Sequence, residues 1–349
     1  MRTPDGSALG DYDYELPPDL VAKYPAERRD ASRLLDLQGS SIRHRRFRDI
    51  VELLGPGDVL VVNETKVIPA RLLGRKPTGA PSEVFLLRPA GSDDPYVWEA
   101  LVRPGTKLKP GRRVVVADDL EVEILDTAPG SARRVRLVTE LPVEEALARH
   151  GHVPLPPYID RDDEPLDRDR YQTVYASVPG SVAAPTAGLH FTPEVLDVLA
   201  AKGVARSALT LHVGVGTFRP VEGDPVAHHM HTEWYDVPEE TVAAIEGARA
   251  AGGRVWAVGT TTVRTLESVA RAHGGLRAGS GTTDLFIRPP FDFRVVDGLV
   301  TNFHLPRSTL LMLVAAFAGY RATMDAYRAA IVEGYRFYSY GDAMAVLRR

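Results

Sequence analysis

The chain has 349 residues, is 44% hydrophobic and 25% charged, and carries a net charge of −4. This is ordinary globular composition, long enough for two domains and a sizeable core. It contains no cysteine, which excludes disulfides, thiol nucleophiles, cysteine-ligated zinc and iron–sulfur chemistry together. The mild acidity advertises no bulk affinity for nucleic acid, although a local basic face remains compatible with it.

No charged start followed by an apolar run opens the sequence, and the longest apolar run, Leu310–Ala318, is far too short to span a bilayer. The expectation is a cytoplasmic protein without a membrane partner. In chain order, Asp11–Leu16 alternates acid and aromatic, and Asp19–Tyr24 has the length of one helical turn. Phe47–Leu54 has helical spacing and stops at Gly55-Pro56-Gly57. Asp58–Val62 reads as an apolar strand running into Asn63-Glu64-Thr65.

From Lys66 to about Arg149, short β-branched runs recur between Gly, Pro and Asp turns: Val84–Leu87, Val97–Val102, Val114–Val116, Leu120–Leu125 and Val135–Val138. That texture predicts a small antiparallel barrel or sandwich. Arg161–Arg170 reads as a solvated charged loop. Strand and helix then alternate. Thr192 caps a helix that Gly203 stops, Val204–Val213 is a strand, and Pro238–Ala251 a helix. Arg254–Val258 is a strand followed by a helix, as is Leu299–Phe303 before Ser308–Ala318. The expected fold class is α/β: a mostly parallel sheet flanked by helices, formed by residues 1–65 and 150–349, with the barrel inserted at 66–149.

Open α/β sheets bind ligands beyond the carboxyl ends of their strands. Asn63-Glu64-Thr65, His212–Arg219, Gly259–Arg264 and Asn302-Phe303-His304 all follow predicted strands. His190 and His212 sit beside small residues, in A-G-L-H and T-L-H-V-G-V-G-T, where backbone can approach a ligand and imidazole can change charge near neutral pH. Gly214–Thr217 lacks the third glycine of a nucleotide fingerprint and reads first as a turn. Gly259-Thr260-Thr261-Thr262 before a helix is either a plain cap or an anion site. Arg264 and Glu267 lie three apart on that helix and either pair together or face the site. His228, His229 and His231 fit no strong zinc pattern, so no metal is expected. Trp234, Tyr235 and Tyr158 are available to stack on a base, and scattered Lys and Arg clusters to meet phosphates.

An ordered set of motifs spans nearly the whole chain. D-Y-D-Y-E-L-P-P and R-D-A-S-R-L-L lie within Asp11–Leu35, and G-D-V-L-V-V-N-E-T-K-V-I-P-A-R-L starts at Gly57. A-A-P-T-A-G-L-H-F-T ends at Thr192, and T-L-H-V-G-V-G-T-F-R-P-V covers Thr210–Val221. M-H-T-E-W-Y, V-G-T-T-T-V-R-T-L-E-S, V-D-G-L-V-T-N-F-H-L-P-R-S-T-L-L-M-L-V and Y-R-F-Y-S-Y-G-D-A-M follow. The set resembles the S-adenosylmethionine:tRNA ribosyltransferase-isomerases of queuosine biosynthesis, a family described as an α/β domain with an inserted barrel.

The resemblance implies transfer and isomerisation of the ribosyl part of S-adenosylmethionine onto 7-aminomethyl-7-deazaguanine at the wobble position of tRNA with a GUN anticodon. Epoxyqueuosine-tRNA, adenine and methionine result. S-adenosylmethionine is consumed as co-substrate, no separate cofactor is expected, and a monomer is the expected state. On this reading His190, His212 and His304 are acid/base candidates. Thr260, Thr261, Thr262 and Arg264, with Glu267 beside them, form a clamp for the methionine carboxylate. Asn63, Glu64, Arg71, Gly214, Gly216 and Arg219 bind substrate.

The chain departs from the family at Thr282, where tryptophan is usual, at Arg288-Pro289-Pro290-Phe291, where tyrosine-proline-glycine-tyrosine is usual, and at Glu64, where aspartate is commoner. Lost aromatic surface there keeps open the same chemistry on a free 7-deazaguanine. A tRNA-binding homologue without catalysis is the other alternative.

Overall fold

The computed structural model describes residues 3–91, 94–214 and 230–348. The first strands are β1 (Arg33–Gln38), β2 (Ser41–Arg46), β3 (Val59–Asn63) and the short β4 (Thr65–Val67). Six strands follow: β5 (Arg71–Arg75), β6 (Pro81–Pro89), β7 (Val97–Arg103), β8 (Arg113–Ala117), β9 (Leu120–Thr127) and β10 (Arg133–Val138). They close antiparallel into a barrel in the order β10-β7-β6-β5-β8-β9.

Next come the helices α1 (Val143–His150) and α2 (Pro165–Arg170), then β11 (Val178–Ser181), α3 (Pro193–Ala201), β12 (Ala205–Leu211), β13 (Glu233–Val237) and α4 (Glu239–Ala250). The chain continues through β14 (Val255–Val258), α5 (Thr260–His273), β15 (Gly279–Thr283), β16 (Gly298–Asn302), α6 (Thr309–Ala318), α7 (Tyr320–Val332) and β17 (Ala343–Leu347).

The barrel has the alternation that one-sided burial demands. Val84 and Leu86 of β6, Val122 and Ile124 of β9, and Val135 and Leu137 of β10 point inward, and α1 adds Ala146 and Leu147 to the same core. The sequence pattern missed β5, whose R-L-L-G-R has charged ends and no β-branched residue.

The main sheet runs β15-β13-β12-β3-β14-β16-β17-β1-β2. Its centre, β12-β3-β14-β16, is parallel. The pairs β15–β13, β13–β12, β16–β17 and β1–β2 are antiparallel, and β1 runs parallel to β17, so the sheet is mixed. Every residue of β3 and β16 is buried, as expected of strands covered on both faces. Val59 and Val61 enter the core with α5 and α6, whereas Leu60 and Val62 pack with Val195 and Leu199 of α3.

This topology defines the edge at which the candidate site lies. Four parallel strands deliver Asn63, Leu211, Val258 and Asn302 to one side of the sheet. Because Ala343 pairs with both Asn302 and Leu34, the segments entering β17 and β1 reach that same side. Tyr338, Ser339 and Ser32 arrive by this route.

One local expectation changes form. Phe47–Leu54 is a tight three-residue-per-turn stretch (Phe47–Glu52), with the Asp49 carboxylate accepting the Arg46 N–H. The caps of α3 and α6 are as the sequence suggests: Thr192 Oγ1 accepts the Val195 N–H, and Ser308 Oγ accepts the Leu311 N–H.

The reading of Arg161–Arg170 as a solvated loop is corrected. The segment folds into α2, and Asp167 is 1% exposed. Its carboxylate receives both Arg161 Nη atoms at 2.7 and 2.8 Å and the Tyr340 hydroxyl at 2.7 Å. Burial opposes its charge, but these bonds and the Glu164 N–H outweigh it and hold the carboxyl below the usual range. Arg168 and Arg170 donate to the carbonyls of Ala148, Gly151, Ala26 and Glu27. The charged run is a staple between α1 and the N-terminal segment.

Removing one partner of a buried pair strands the other charge. Asp167→Ala is therefore expected to cost about 3–5 kcal/mol in urea unfolding. Glu145→Ala, which breaks only the exposed Glu145–Arg149 pair, is expected to cost no more than about 0.5 kcal/mol.

Candidate active site

Two cavities open at this edge and share Val213. The smaller, about 70 Å3, lies at the start of α5, where Gly259, Thr260 and Thr261 form part of its wall. Gly259 is the cap residue at φ 89°, a conformation that favours glycine, and no side chain caps the helix. The first N–H groups of α5 have no intrahelical acceptor, so a 14-residue helix presents its positive end there. Thr262 does not take part, because its hydroxyl is buried and donates to Val258 O.

His304 lines the same cavity. Its Nε2 bonds with Thr301 Oγ1 at 2.8 Å, its N–H donates to the Tyr327 hydroxyl, and its carbonyl accepts from Tyr14. Desolvation pushes its pKa down to about 3, so the ring is neutral.

The larger cavity, about 1180 Å3, is the cleft between barrel and sheet. Trp98 and Arg88 line it from the barrel, Leu147 and Arg168 from α1 and α2, and His212, Gly214, Glu233 and Trp234 from the sheet. The His212 ring is held on three sides. Its Nδ1 bonds with Thr65 Oγ1 at 2.8 Å, and Trp234 stacks on it with centroids 5.1 Å apart. Gly180 presses against it so closely that a Cβ there would lie 2.8 Å from Nε2. Desolvation lowers its pKa. Beneath the cleft, Glu233 accepts the Gly214 N–H at 3.2 Å and pairs with Arg264.

His190 lies elsewhere. It is 4% exposed, lines neither cavity and stacks on Phe47. Its Nδ1 bonds with Ser32 Oγ at 2.7 Å and its Nε2 with Asn302 Nδ2 at 3.1 Å. Desolvation first, then the nearby charges of Arg336 and Arg29, push its pKa down to about 3. With both nitrogens engaged, it has no open position for a substrate proton.

The predicted residues therefore divide. Thr260, Thr261 and His304 meet at the small cavity, and His212 and Gly214 at the large one. Arg264 is not at the cavity of the α5 N-terminus: a buried guanidinium needs a counter-charge, and Glu233 and the Leu285 carbonyl take it. Glu267 is fully buried, accepts the N–H groups of Arg294, Val295 and Val296, and does not pair with Arg264.

Asn63 is buried and bonds backbone, Glu64 bonds Ser177, and Arg71 pairs with Glu83 on the barrel. None of these three lines either cavity. Gly216, Arg219, His228 and His229 lie outside the described residues, and His231 lines the cleft. Among the described residues, no three His, Asp or Glu side chains gather to hold a metal ion.

Trp234 and Tyr158 line the two cavities, while Tyr235 is core. Thr282 stands opposite Trp234 in the β13–β15 register, so an aromatic side chain is present one strand from the departure. Sequence reasoning missed Ser339 and the pairing of Glu233 with Arg264. The signal for the latter was present, since an arginine one turn into a buried helix demands a carboxylate.

The chain matches the family described as a queuosine biosynthesis protein over residues 9–346. It belongs to that family. It is 53% identical over 347 residues to the S-adenosylmethionine:tRNA ribosyltransferase-isomerase of Thermus thermophilus, covering 96% of this chain and 98% of the relative. The enzyme of that name from Thermotoga maritima is 52% identical over 342 residues, covering 97% and 99%. A crystal structure of S-adenosylmethionine tRNA ribosyltransferase from Thermotoga maritima aligns with a TM-score of 0.55 and 42% identity, covering 96% of this chain and 99% of that one. The chain is thus an enzyme of the transferase/isomerase class, with the mixed sheet and inserted barrel of this queuosine biosynthesis family. No helix among the described residues is long and apolar enough to cross a membrane.

The neutral state of His190 has a consequence for stability. Its folded pKa, about 3, lies below the ordinary 6.5, so below pH 6.5 the unfolded chain takes up the proton that the folded one refuses. Its contribution is full above pH 6.5 and is lost as pH falls from 6.5 towards 3. His190→Gln offers the same neighbours an amide that does not titrate. The urea midpoint of the wild type is expected to fall more between pH 6.5 and 4.5 than that of the variant; equal slopes would contradict a buried neutral ring.

Proposed function

We propose that the enzyme transfers and isomerises the ribosyl moiety of S-adenosylmethionine onto 7-aminomethyl-7-deazaguanine at the tRNA wobble position. The products are epoxyqueuosine-tRNA, adenine and methionine. The observation that carries this reading is the pair of cavities that share Val213 as a lining residue, one small at the open start of α5, the other wide and lined by His212. The methionyl end belongs in the first and the sugar, adenine and target base in the second. S-adenosylmethionine is consumed as co-substrate, and the reaction is placed in the cytoplasm with tRNA.

The chemistry asks for a base, a proton donor and an anion seat. The sulfonium acidifies the adjacent 5′ carbon. Loss of that proton gives an ylide whose collapse opens the sugar and expels adenine, which leaves with a proton. The neutral aminomethyl nitrogen forms the new bond to the opened sugar and loses a proton, and a sugar oxygen then displaces sulfur, closing the epoxide as the C–S bond breaks and methionine departs as a thioether.

His212 suits the base: it lies in the cleft, its ring is fixed by Thr65 and Trp234, and its lowered pKa keeps it neutral and proton-accepting at pH 7. His304 is the second candidate for proton handling, from the small cavity. Tyr158 and Tyr338, which wall that cavity, suit the sulfonium charge. Trp98 and Trp234 offer aromatic surface to bases in the cleft, with Arg88, Lys66 and Arg168 near phosphates.

Adenine release, followed by chromatography, tests the reading with three acceptors: none, free 7-aminomethyl base, and tRNA carrying it. Release with modified tRNA, and a matching mass gain on that tRNA, is expected. Release with the free base alone would move the function to small molecules, and no release from protein that binds S-adenosylmethionine would leave a binding homologue. His212→Gln is expected to keep S-adenosylmethionine affinity within about threefold while adenine release falls about a hundredfold or more. Wild-type release would remove His212 as the base.

A further inference from the structure

Asn302 ends β16 and is 2% exposed, yet its Oδ1 is buried without a hydrogen-bond partner. The amide cannot be turned the other way. Its Nδ2 donates to Tyr338 O at 3.1 Å, a carbonyl that only accepts, and to His190 Nε2 at 3.1 Å. His190 Nε2 is then the acceptor and its Nδ1–H donates to Ser32 Oγ, whose own proton goes to Arg29 O at 3.1 Å. Every donor in this chain is committed, which leaves Oδ1 as a fixed, buried acceptor on a residue that lines the small cavity. A buried acceptor without a donor is costly and marks a place where a donor is expected.

We propose that the small cavity seats the α-amino-acid headgroup of the co-substrate, the α5 N-terminus binding its carboxylate and Asn302 Oδ1 accepting a hydrogen bond from its ammonium. The identity of the co-substrate rests on the function proposed above; the assignment of Asn302 does not follow from it.

Three features argue for a zwitterion rather than a simple anion. An oriented amide oxygen repels an anion and attracts an N–H⁺. Among the described residues, neither Lys or Arg nor Asp or Glu lines this cavity, so among them neither charge of the headgroup meets a like charge or a competing salt bridge. A volume of about 70 Å3 has room for roughly five or six water-sized groups, enough for a carboxylate, an ammonium and the carbon between them but not for a nucleoside.

Calorimetric titration of the full chain tests this with S-adenosylmethionine and its deaminated analogue, in which hydrogen replaces the ammonium and the carboxylate is kept. Wild type is expected to bind the deaminated analogue at least about tenfold more weakly, the scale of a hydrogen bond to a charged group. Asn302→Ala is expected to lose at least about tenfold for S-adenosylmethionine while binding the deaminated analogue within about threefold of wild type. Equal weakening of both ligands by Asn302→Ala would overturn the proposal, because a purely structural asparagine cannot tell them apart. Equal affinity of wild type for the two ligands would overturn it even if the variant did not fold. Wild type that bound neither ligand would instead refute the functional reading.

Discussion

The side chain of Asn63 stands in for a stretch of backbone, and the edge that carries the candidate site depends on it. Up to Leu209, β3 and β12 are joined by an ordinary parallel ladder. Beyond it the two chains part, and the Asn63 amide continues the ladder: Oδ1 accepts from Leu211 N and Thr65 N, and Nδ2 donates to Leu211 O. A peptide-like amide is the one short side chain that offers a donor and an acceptor in this geometry. The backbone from Glu64 is thereby freed to pair with β11 and enter the barrel, while β12 is held straight long enough to deliver His212. Thr65 and His212 meet because one asparagine pins both of their approaches.

Buried charges near the cavities have dedicated partners, and the described groups that line the small cavity are neutral or dipolar. Asp167 holds Arg161, and Glu233 holds Arg264. His190 and His304 are kept neutral by desolvation. Among the described residues, what lines the small cavity is therefore a helix end, the amide-bearing Asn302, hydroxyl side chains and a neutral imidazole. Such a surface binds charge through fixed dipoles and does not need to release a counter-ion first, which suits a substrate that carries its own positive sulfur.

The split between two cavities also assigns different work to the two domains. The small cavity is built almost wholly from the sheet and its following loops, on rigid elements whose ends are set by capping and by the β16–β17 register. The large cleft borrows one wall from the barrel, so its width depends on how the barrel sits against the sheet. The staple formed by Arg161, Asp167, Arg168 and Arg170 lies at this junction, tying α1 to the N-terminal segment.

Much of this organisation was legible in the residues. Apolar periodicity marked β3, β12, β14 and β16, capping residues marked α3 and α6, and β-branched runs marked most of the barrel, because these signals are local and depend on a residue's own neighbours in the chain. The loops at the strand ends were legible for the same reason. Partners were not. Arg264 looked like a ligand clamp until β13 brought Glu233 beside it, and Arg161–Arg170 looked solvated until folding buried Asp167. His190 looked like a base until the β1 and β16 segments occupied both its nitrogens. The sequence by itself determined the family, the central strands with their capped helices, and the edge at which the candidate site lies. Only the tertiary structure decided which polar side chains are spent on one another and which remain for a substrate, since that depends on distances between residues up to some three hundred positions apart, such as Arg33 and Asp342.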